Sequence, residues 1–153
     1  MDKKQNPTNH NTMLQFNQIE LDKMNSVVEK IADLLPNFAC LELTGEMGSG
    51  KTTLIMSLLQ LLGVDQTEGS PTFSLIQPYL LPNKKMIYHI DAFRLNSVEE
   101  AYQLGFDELF EEEAFFIVEW PEIISNLLPE PRISLTIENS TVHYRNYTLE
   151  YGH

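Results

Sequence analysis

The chain has 153 residues, about 42% of them hydrophobic, which predicts one folded domain rather than two domains or a disordered polypeptide. It carries 22 acidic side chains and 10 lysines and arginines, giving a formal net charge of −12. Because non-specific affinity for nucleic acid comes largely from Lys and Arg, this balance excludes a protein whose main task is to hold a phosphate backbone.

The hydrophobic pattern predicts a flexible tail at residues 1–12 and one domain at residues 13–153. In chain order, we expect a helix at 23–35, a strand at 38–44, a helix at 51–62, strands at 72–80 and 85–91, a helix at 98–104, a short acidic helix or turn at 106–113, a strand at 114–120, a short helix at 121–128 and strands at 132–138 and 142–151. This order predicts an α/β fold with a mixed, partly antiparallel central sheet flanked by helices.

The cellular setting is suggested by three features. Cys40 is the single cysteine, so no internal disulfide can form, and a reducing compartment such as the cytoplasm is expected. No apolar run approaches the ~18 residues of a membrane-spanning helix. The first residues are polar and lack the apolar centre of a signal peptide.

A phosphate-binding loop is the strongest motif in the chain. The segment Gly45-Glu46-Met47-Gly48-Ser49-Gly50-Lys51-Thr52 fits the pattern G-x-x-x-x-G-K-[ST] between a predicted strand and a predicted helix. Glycines let successive backbone N–H groups point at a phosphate, and the helix adds the positive end of its dipole. We expect Lys51 to reach the β- and γ-phosphates, Thr52 to ligate Mg²⁺ and Thr53 to contact the α-phosphate.

The position of this loop agrees with the charge distribution. Residues 1–95 contain 10 acids and 8 bases, whereas residues 96–153 contain 12 acids and 2 bases. An anion-binding site is therefore expected in the first two thirds of the chain, where the loop lies.

A magnesium-dependent nucleotidase also needs an acid at the end of a second strand. Asp91 and Glu119 both qualify, because each ends an apolar run. Either acid could instead cap the following turn, and the sequence leaves this open. Ser70-Pro71-Thr72 lies where a switch-like loop would bring a hydroxyl to the γ-phosphate, although Ser-Pro-Thr is also a common turn.

Four segments together resemble one family. They are the phosphate loop extended to Thr53, Ser70 to Phe73, Tyr88 to Leu95 and Val118 to Pro121, and a Glu-Glu-x-x-x-x-Gly segment at Glu99 to Gly105 fits the same order. On these motifs the chain closely resembles the TsaE family, the bacterial ATPases of tRNA threonylcarbamoyladenosine biosynthesis. The resemblance covers roughly residues 14–150. Phe93 is a departure, because the family usually has Tyr there.

The resemblance implies a phosphate-loop ATPase that uses ATP and Mg²⁺, is weak alone and binds the TsaB–TsaD complex. ATP hydrolysis would reset that complex, and its members rather than this chain would contact tRNA. By motif, Lys51 would hold phosphate, Thr52 and the acids Asp91 and Glu119 would serve Mg²⁺ or the attacking water, and Thr72 would be the switch residue. Asp22, expected to cap the first helix, would border the adenine.

Other functions remain open at this stage. A small-molecule or nucleotide kinase shares the phosphate loop but needs basic groups at the acceptor site, and the chain has only Arg94, Arg132 and Arg145. A GTPase needs an Asn-Lys-x-Asp guanine reader, and Asn83-Lys84-Lys85-Met86 lacks its Asp. A nucleotide-dependent binding module would use ATP to hold a partner-competent shape. Trp120 either lies beside the nucleotide or fills the core, and we expect the core.

Overall fold

A computed structural model describes residues 11–65 and 75–152. Seven strands and four α-helices form these parts of the chain. The strands are β1 (Asn11–Glu20), β2 (Cys40–Gly45), β3 (Ile76–Leu80), β4 (Met86–Asp91), β5 (Ala114–Glu119), β6 (Arg132–Asn139) and β7 (Tyr144–Gly152). The helices are α1 (Asn25–Leu34), α2 (Lys51–Leu61), α3 (Val98–Gln103) and α4 (Phe106–Leu109), with short 3-10 helices at Leu35–Asn37 and Pro121–Leu127.

The strands form one mixed sheet in the order β1-β7-β6-β2-β5-β4-β3. The four strands β6, β2, β5 and β4 run parallel to one another. Antiparallel pairing extends the sheet on both sides, with β7 and β1 beyond β6 and with β3 beside β4. The predicted fold class is confirmed, including the two antiparallel pairs, β3 with β4 and β6 with β7; residues 72–74 of the strand predicted at 72–80 lie outside the described residues.

Two apolar layers cover the sheet, because successive side chains of a strand point to opposite faces. On one face, α1 and α2 pack against Leu41 and Leu43 of β2 and Ile117 of β5. On the other face, α3, α4 and the 3-10 helix at Pro121–Leu127 pack against Phe116 and Val118. Both faces of the central strands are therefore buried, which explains their nearly continuous apolar sequences.

Several local predictions are confirmed. The helix predicted at 51–62 is α2, and Ser97 caps α3 by accepting a hydrogen bond at 3.2 Å from the Glu100 N–H. Cys40 is fully buried, as expected. The segment expected as a helix at 121–128 is a 3-10 helix. The prediction that Asp22 caps the first helix is wrong, because α1 begins at Asn25 with Met24 at its N-cap position and no side-chain cap.

Strand β1 was not predicted from the sequence. It lies at the sheet edge, paired antiparallel with β7, and none of its residues is buried. A register shift between Phe16 and Ile19 interrupts the two-residue alternation that would have indicated a strand. Asn11 and Thr12 belong to this strand, while residues 1–10 of the predicted tail lie outside the described residues.

Candidate functional site

The carboxyl ends of three parallel strands bring the predicted site residues together. Gly45 ends β2, Glu119 ends β5 and Asp91 ends β4. In the sheet register Glu119 lies opposite both Leu43 and Asp91, so the two acids occupy neighbouring strand ends beside the start of the loop. Ligands of open α/β sheets bind in crevices at this edge.

The loop between β2 and α2 requires its glycines. Gly48 and Gly50 have φ angles of 78° and 102°, in the left-handed region that other residues rarely adopt. At Gly45, an added Cβ would lie 2.8 Å from the Ile137 carbonyl oxygen of β6, too close for any other side chain without movement of that strand. The Ser49 N–H donates to the Glu46 carbonyl at 3.0 Å and closes a tight turn. The sequence therefore encodes the curled backbone that the motif predicts.

Lys51 opens α2 and folds back over this loop. Its ammonium donates to the carbonyl oxygens of Gly45 at 2.6 Å and Glu46 at 3.0 Å, and it lies 4.2 Å from the centre of the Trp120 ring. The residue is 5% exposed, and burial lowers the pKa of its amine, while the charges of Glu119 and Asp91 oppose that shift. The site therefore holds a desolvated cation next to acidic groups.

Glu119 joins three elements through its carboxylate. The Thr52 hydroxyl of α2 donates to Oε1 at 2.9 Å, and His89 Nε2 of β4 lies 2.7 Å from Oε2. Glu119 and His89 are both buried, so these hydrogen bonds are formed away from water. A hydroxyl of the phosphate loop and a carboxylate of the adjacent strand therefore already face each other.

Asp91 has a different environment from Glu119. It is half-buried, and its Oδ1 accepts a hydrogen bond from the Phe93 N–H at 3.1 Å. The two strand ends are tied together because the Ala92 N–H donates to the Glu119 carbonyl at 3.0 Å. The carboxylate of Asp91 therefore stands at the wall of the cleft rather than against Thr52.

Trp120 and Phe93 form an aromatic wall. Their ring centres are 5.0 Å apart. Trp120 has a left-handed backbone (φ 56°), which is uncommon for a bulky residue, and it turns the chain from β5 into the following 3-10 helix. The expectation that Trp120 fills the core is wrong, since it is half-buried and lines the cleft. The strand-end position before Pro121 was the signal that could have indicated this.

Together these groups enclose a cavity of about 360 Å³, which we call the loop cleft. Its walls are Met47, Gly48, Gly50, Lys51, Thr52, Thr53, Asp91, Phe93, Glu119 and Trp120. Gly45, Glu46 and Ser49 belong to the loop without lining the cleft, and Asp22 is exposed and also absent from its walls. Thr72, with the rest of the predicted switch segment, lies outside the described residues.

A second cavity, of about 470 Å³, lies at the opposite edge of the parallel strands. It is bordered by the starts of β4 and β5 and by the C-terminal ends of α1 and α2. It is the larger of the two but contains none of the predicted site residues. The loop cleft, rather than this second cavity, is therefore the candidate functional site.

The donor atoms of the loop cleft suit a magnesium ion shared with phosphates. The Thr52 hydroxyl and the carboxylates of Glu119 and Asp91 are hard oxygen ligands. Within residues 11–65 and 75–152, no group of three or more His, Cys, Asp or Glu side chains could hold a metal by itself. Mg²⁺ in phosphoryl-transfer sites takes only one or two carboxylates, with phosphate oxygens and waters completing its shell. The residues present fit that pattern.

The fold and the loop cleft define an α/β protein of the phosphate-loop NTPase-like class. The model of the family described as threonylcarbamoyl adenosine biosynthesis protein TsaE matches residues 19–147. The chain therefore belongs to the TsaE family, which takes part in the biosynthesis of threonylcarbamoyladenosine in tRNA, and the resemblance found from the motifs is confirmed.

Comparison with individual proteins supports the same family assignment. The chain is 34% identical over 126 residues to the tRNA threonylcarbamoyladenosine biosynthesis protein TsaE of Bacillus subtilis, covering 78% of this chain and 76% of that protein. It is 35% identical over 127 residues to the protein of that name from Rickettsia prowazekii, covering 78% and 86%. The crystal structure of Bacillus subtilis YdiB superposes with a TM-score of 0.72 at 24% identity, over 93% of this chain and 87% of that one, and supports the fold. Among the described helices, none is long and apolar enough to cross a membrane.

Replacing His89 tests whether its hydrogen bond holds the Glu119 carboxylate in place. His89→Leu removes the hydrogen bond to Oε2 of the buried Glu119 carboxylate, so the free energy of unfolding at pH 7 should fall by about 2 kcal/mol. Urea unfolding followed by circular dichroism measures this change. His143→Leu, at an exposed position, is the matched control and should change stability by less than about 0.5 kcal/mol. Equal stability of His89→Leu and the natural chain would contradict this account of Glu119.

Proposed function

We propose that this protein is a magnesium-dependent ATPase that supports tRNA threonylcarbamoyladenosine modification by binding the TsaB–TsaD complex and resetting it through ATP hydrolysis. The single observation that carries the proposal is the hydrogen bond between Thr52 and Glu119 at the phosphate loop. It pairs the hydroxyl and the carboxylate that a Mg²⁺–nucleotide site requires. Membership of the TsaE family indicates the tRNA threonylcarbamoyladenosine pathway. The proposal also places the protein in the cytoplasm.

Phosphate binding begins with the loop amides and the start of α2, an eleven-residue helix whose dipole favours an anion. Lys51 would exchange its two carbonyl contacts at Gly45 and Glu46 for the β- and γ-phosphates. Burial lowers the pKa of the Lys51 amine, and an adjacent phosphate would raise it again. The cost of burying this cation is therefore offset when the anion binds.

The two acids receive different roles in this proposal. Thr52 and Glu119 would hold Mg²⁺, which would neutralise negative charge on the nucleotide phosphates. Asp91 lines the cleft, and its carboxylate, whose Oδ1 also accepts from the Phe93 N–H, would orient the attacking water as an acceptor. His89 acts on neither water nor phosphate; it fixes the orientation of Glu119. Thr72 would serve as the switch residue at the γ-phosphate, and Asp22, which is exposed and outside the cleft walls, would border the adenine.

The alternative kinase lacks a basic acceptor site among the described residues. No arginine lines the loop cleft. Arg132 donates to the Ser125 carbonyl at 2.8 Å and pairs with Glu130 at 2.9 Å, away from the cleft. Among the described residues that line the loop cleft, Lys51 is the one basic side chain that a phosphate acceptor would meet.

A guanine nucleotide is disfavoured by the position of the nearest guanine-reading sequence. Asn83, Lys84 and Lys85 precede β4 and border the second cavity, at the edge of the sheet opposite to the phosphate loop. They cannot read a base bound in the loop cleft. ATP is the nucleotide that the family resemblance implies.

Partner binding accounts for the charge of the chain. A net charge of −12 is poorly suited to tRNA, and in this proposal TsaB and TsaD make the tRNA contacts. Helices α3 and α4 carry acidic residues in their first turns. This acidic surface gives a basic partner a complementary face and makes association sensitive to salt.

Replacing Lys51 tests nucleotide binding. Lys51→Ala should weaken binding of ATP with Mg²⁺ by at least about 100-fold, near 2.7 kcal/mol, because the phosphates lose their cationic partner. Isothermal titration calorimetry gives the affinity, and circular dichroism checks the fold. Lys85→Ala, at an exposed position on the opposite edge of the sheet, should bind like the natural chain. Undiminished affinity in folded Lys51→Ala would refute a phosphate site in the loop cleft.

Turnover tests the partner assignment. We expect slow ATP hydrolysis by the protein alone and a rise of about tenfold or more with TsaB–TsaD, because the partner completes the catalytic geometry. Phosphate release is measured with and without the partners, with Lys51→Ala as the inactive control. Raising the salt concentration should weaken the stimulation. Equal turnover in both mixtures would refute the assignment, and transfer of phosphate to a small acceptor would favour the kinase.

A further inference from the structure

Arg145 is a buried basic residue that none of the roles above uses. It lies near the start of β7, opposite Ile19 of β1 and Asn139 of β6, and is 7% exposed. Buried arginines are normally paired with an acid. Within the part of the chain that the structure describes, none of the ion pairs involves Arg145.

Backbone carbonyls take the place of an acid. The guanidinium Nε donates to the Ser49 carbonyl at 3.0 Å, and Nη2 lies 3.5 Å from the Gly48 carbonyl. On its other side, Nη1 donates to the carbonyls of Thr141 at 2.9 Å and Tyr144 at 3.0 Å. One rigid, planar group therefore connects the turn before β7 to the phosphate loop.

These contacts fix the direction of a loop amide. In a trans peptide the carbonyl and the following N–H point in opposite directions. Because Arg145 holds the Ser49 carbonyl outside the loop, the Gly50 N–H is directed the other way, and Gly50 lines the loop cleft. Glycine has the largest conformational freedom of any residue type. The backbone at Gly48 and Gly50 therefore needs a contact from outside the loop to hold one conformation.

We propose that Arg145 is a positioning residue that orients the phosphate-loop amides for the β-phosphate and adds a positive charge behind the loop. The inference rests on the proposed nucleotide function for its ligand, although the constraint on the loop exists without one. Arg145 does not line the cleft, so it acts through the backbone of Gly48 and Ser49 rather than by touching the nucleotide.

The test compares ADP with AMP, because only ADP carries a β-phosphate. In Arg145→Gln, calorimetry should show ADP affinity falling by about tenfold or more while AMP affinity changes by less than about twofold. Arg145→Lys keeps the charge without the planar fork and should lie between Arg145→Gln and the natural chain. Arg132→Gln is the matched control, since Arg132 also donates to a backbone carbonyl, and it should leave both affinities unchanged.

A second measurement needs no nucleotide. In ¹⁵N relaxation of the free protein, the Gly48 and Gly50 amides should be rigid in the natural chain and in Arg132→Gln but mobile on the nanosecond timescale in Arg145→Gln. If the natural chain binds neither ADP nor AMP, the proposed function fails, and this measurement still decides the role of Arg145. Equal loss of ADP and AMP affinity, unchanged Gly50 mobility, or unfolding of both Arg145 variants would overturn the inference.

Discussion

The carboxylate of Glu119 is the point at which the fold and the site meet. Glu119 is the last residue of β5, and its carboxylate accepts a hydrogen bond from Thr52 at the start of α2 and contacts His89 of β4. This arrangement depends on β5 lying between β2 and β4 as a parallel neighbour of both. The same strand order sets the direction of the phosphate loop and the position of Asp91. A change that displaced β5 would therefore dismantle the whole site.

Most of the fold was predictable from the sequence because the central elements have strong hydrophobic patterns. Buried apolar runs, a glycine-rich loop and the cap at Ser97 each have a local physical cause, and the structure places them as expected. The edge strand β1 was missed because a register shift breaks its alternation and its side chains bury little surface. Local patterns indicate an element poorly when tertiary pairing supplies most of its stability.

The site, like the fold, was predictable where a local motif defines it and not where distant segments meet. The phosphate loop and the two acids follow from motifs, but the sequence does not say which acid faces Thr52, because that depends on strand order. Trp120 was expected in the core, whereas a left-handed backbone turns its ring over Lys51. Arg145 lies 96 residues from Ser49 in the chain and has no motif of its own. Such contacts appear only after the sheet has brought distant segments together.

The central claim is that Thr52 and Glu119 form a divalent-cation site completed by nucleotide phosphates. The most direct measurement is electron paramagnetic resonance titration of Mn²⁺, a substitute for Mg²⁺, with and without ADP. The account predicts that ADP tightens Mn²⁺ binding by about tenfold or more in the natural chain and in Thr44→Val, whose hydroxyl pairs with Thr136 instead. Thr52→Val and Glu119→Gln should lose this gain. Equal Mn²⁺ affinity with and without ADP, or an undiminished gain in both site variants, would contradict the account.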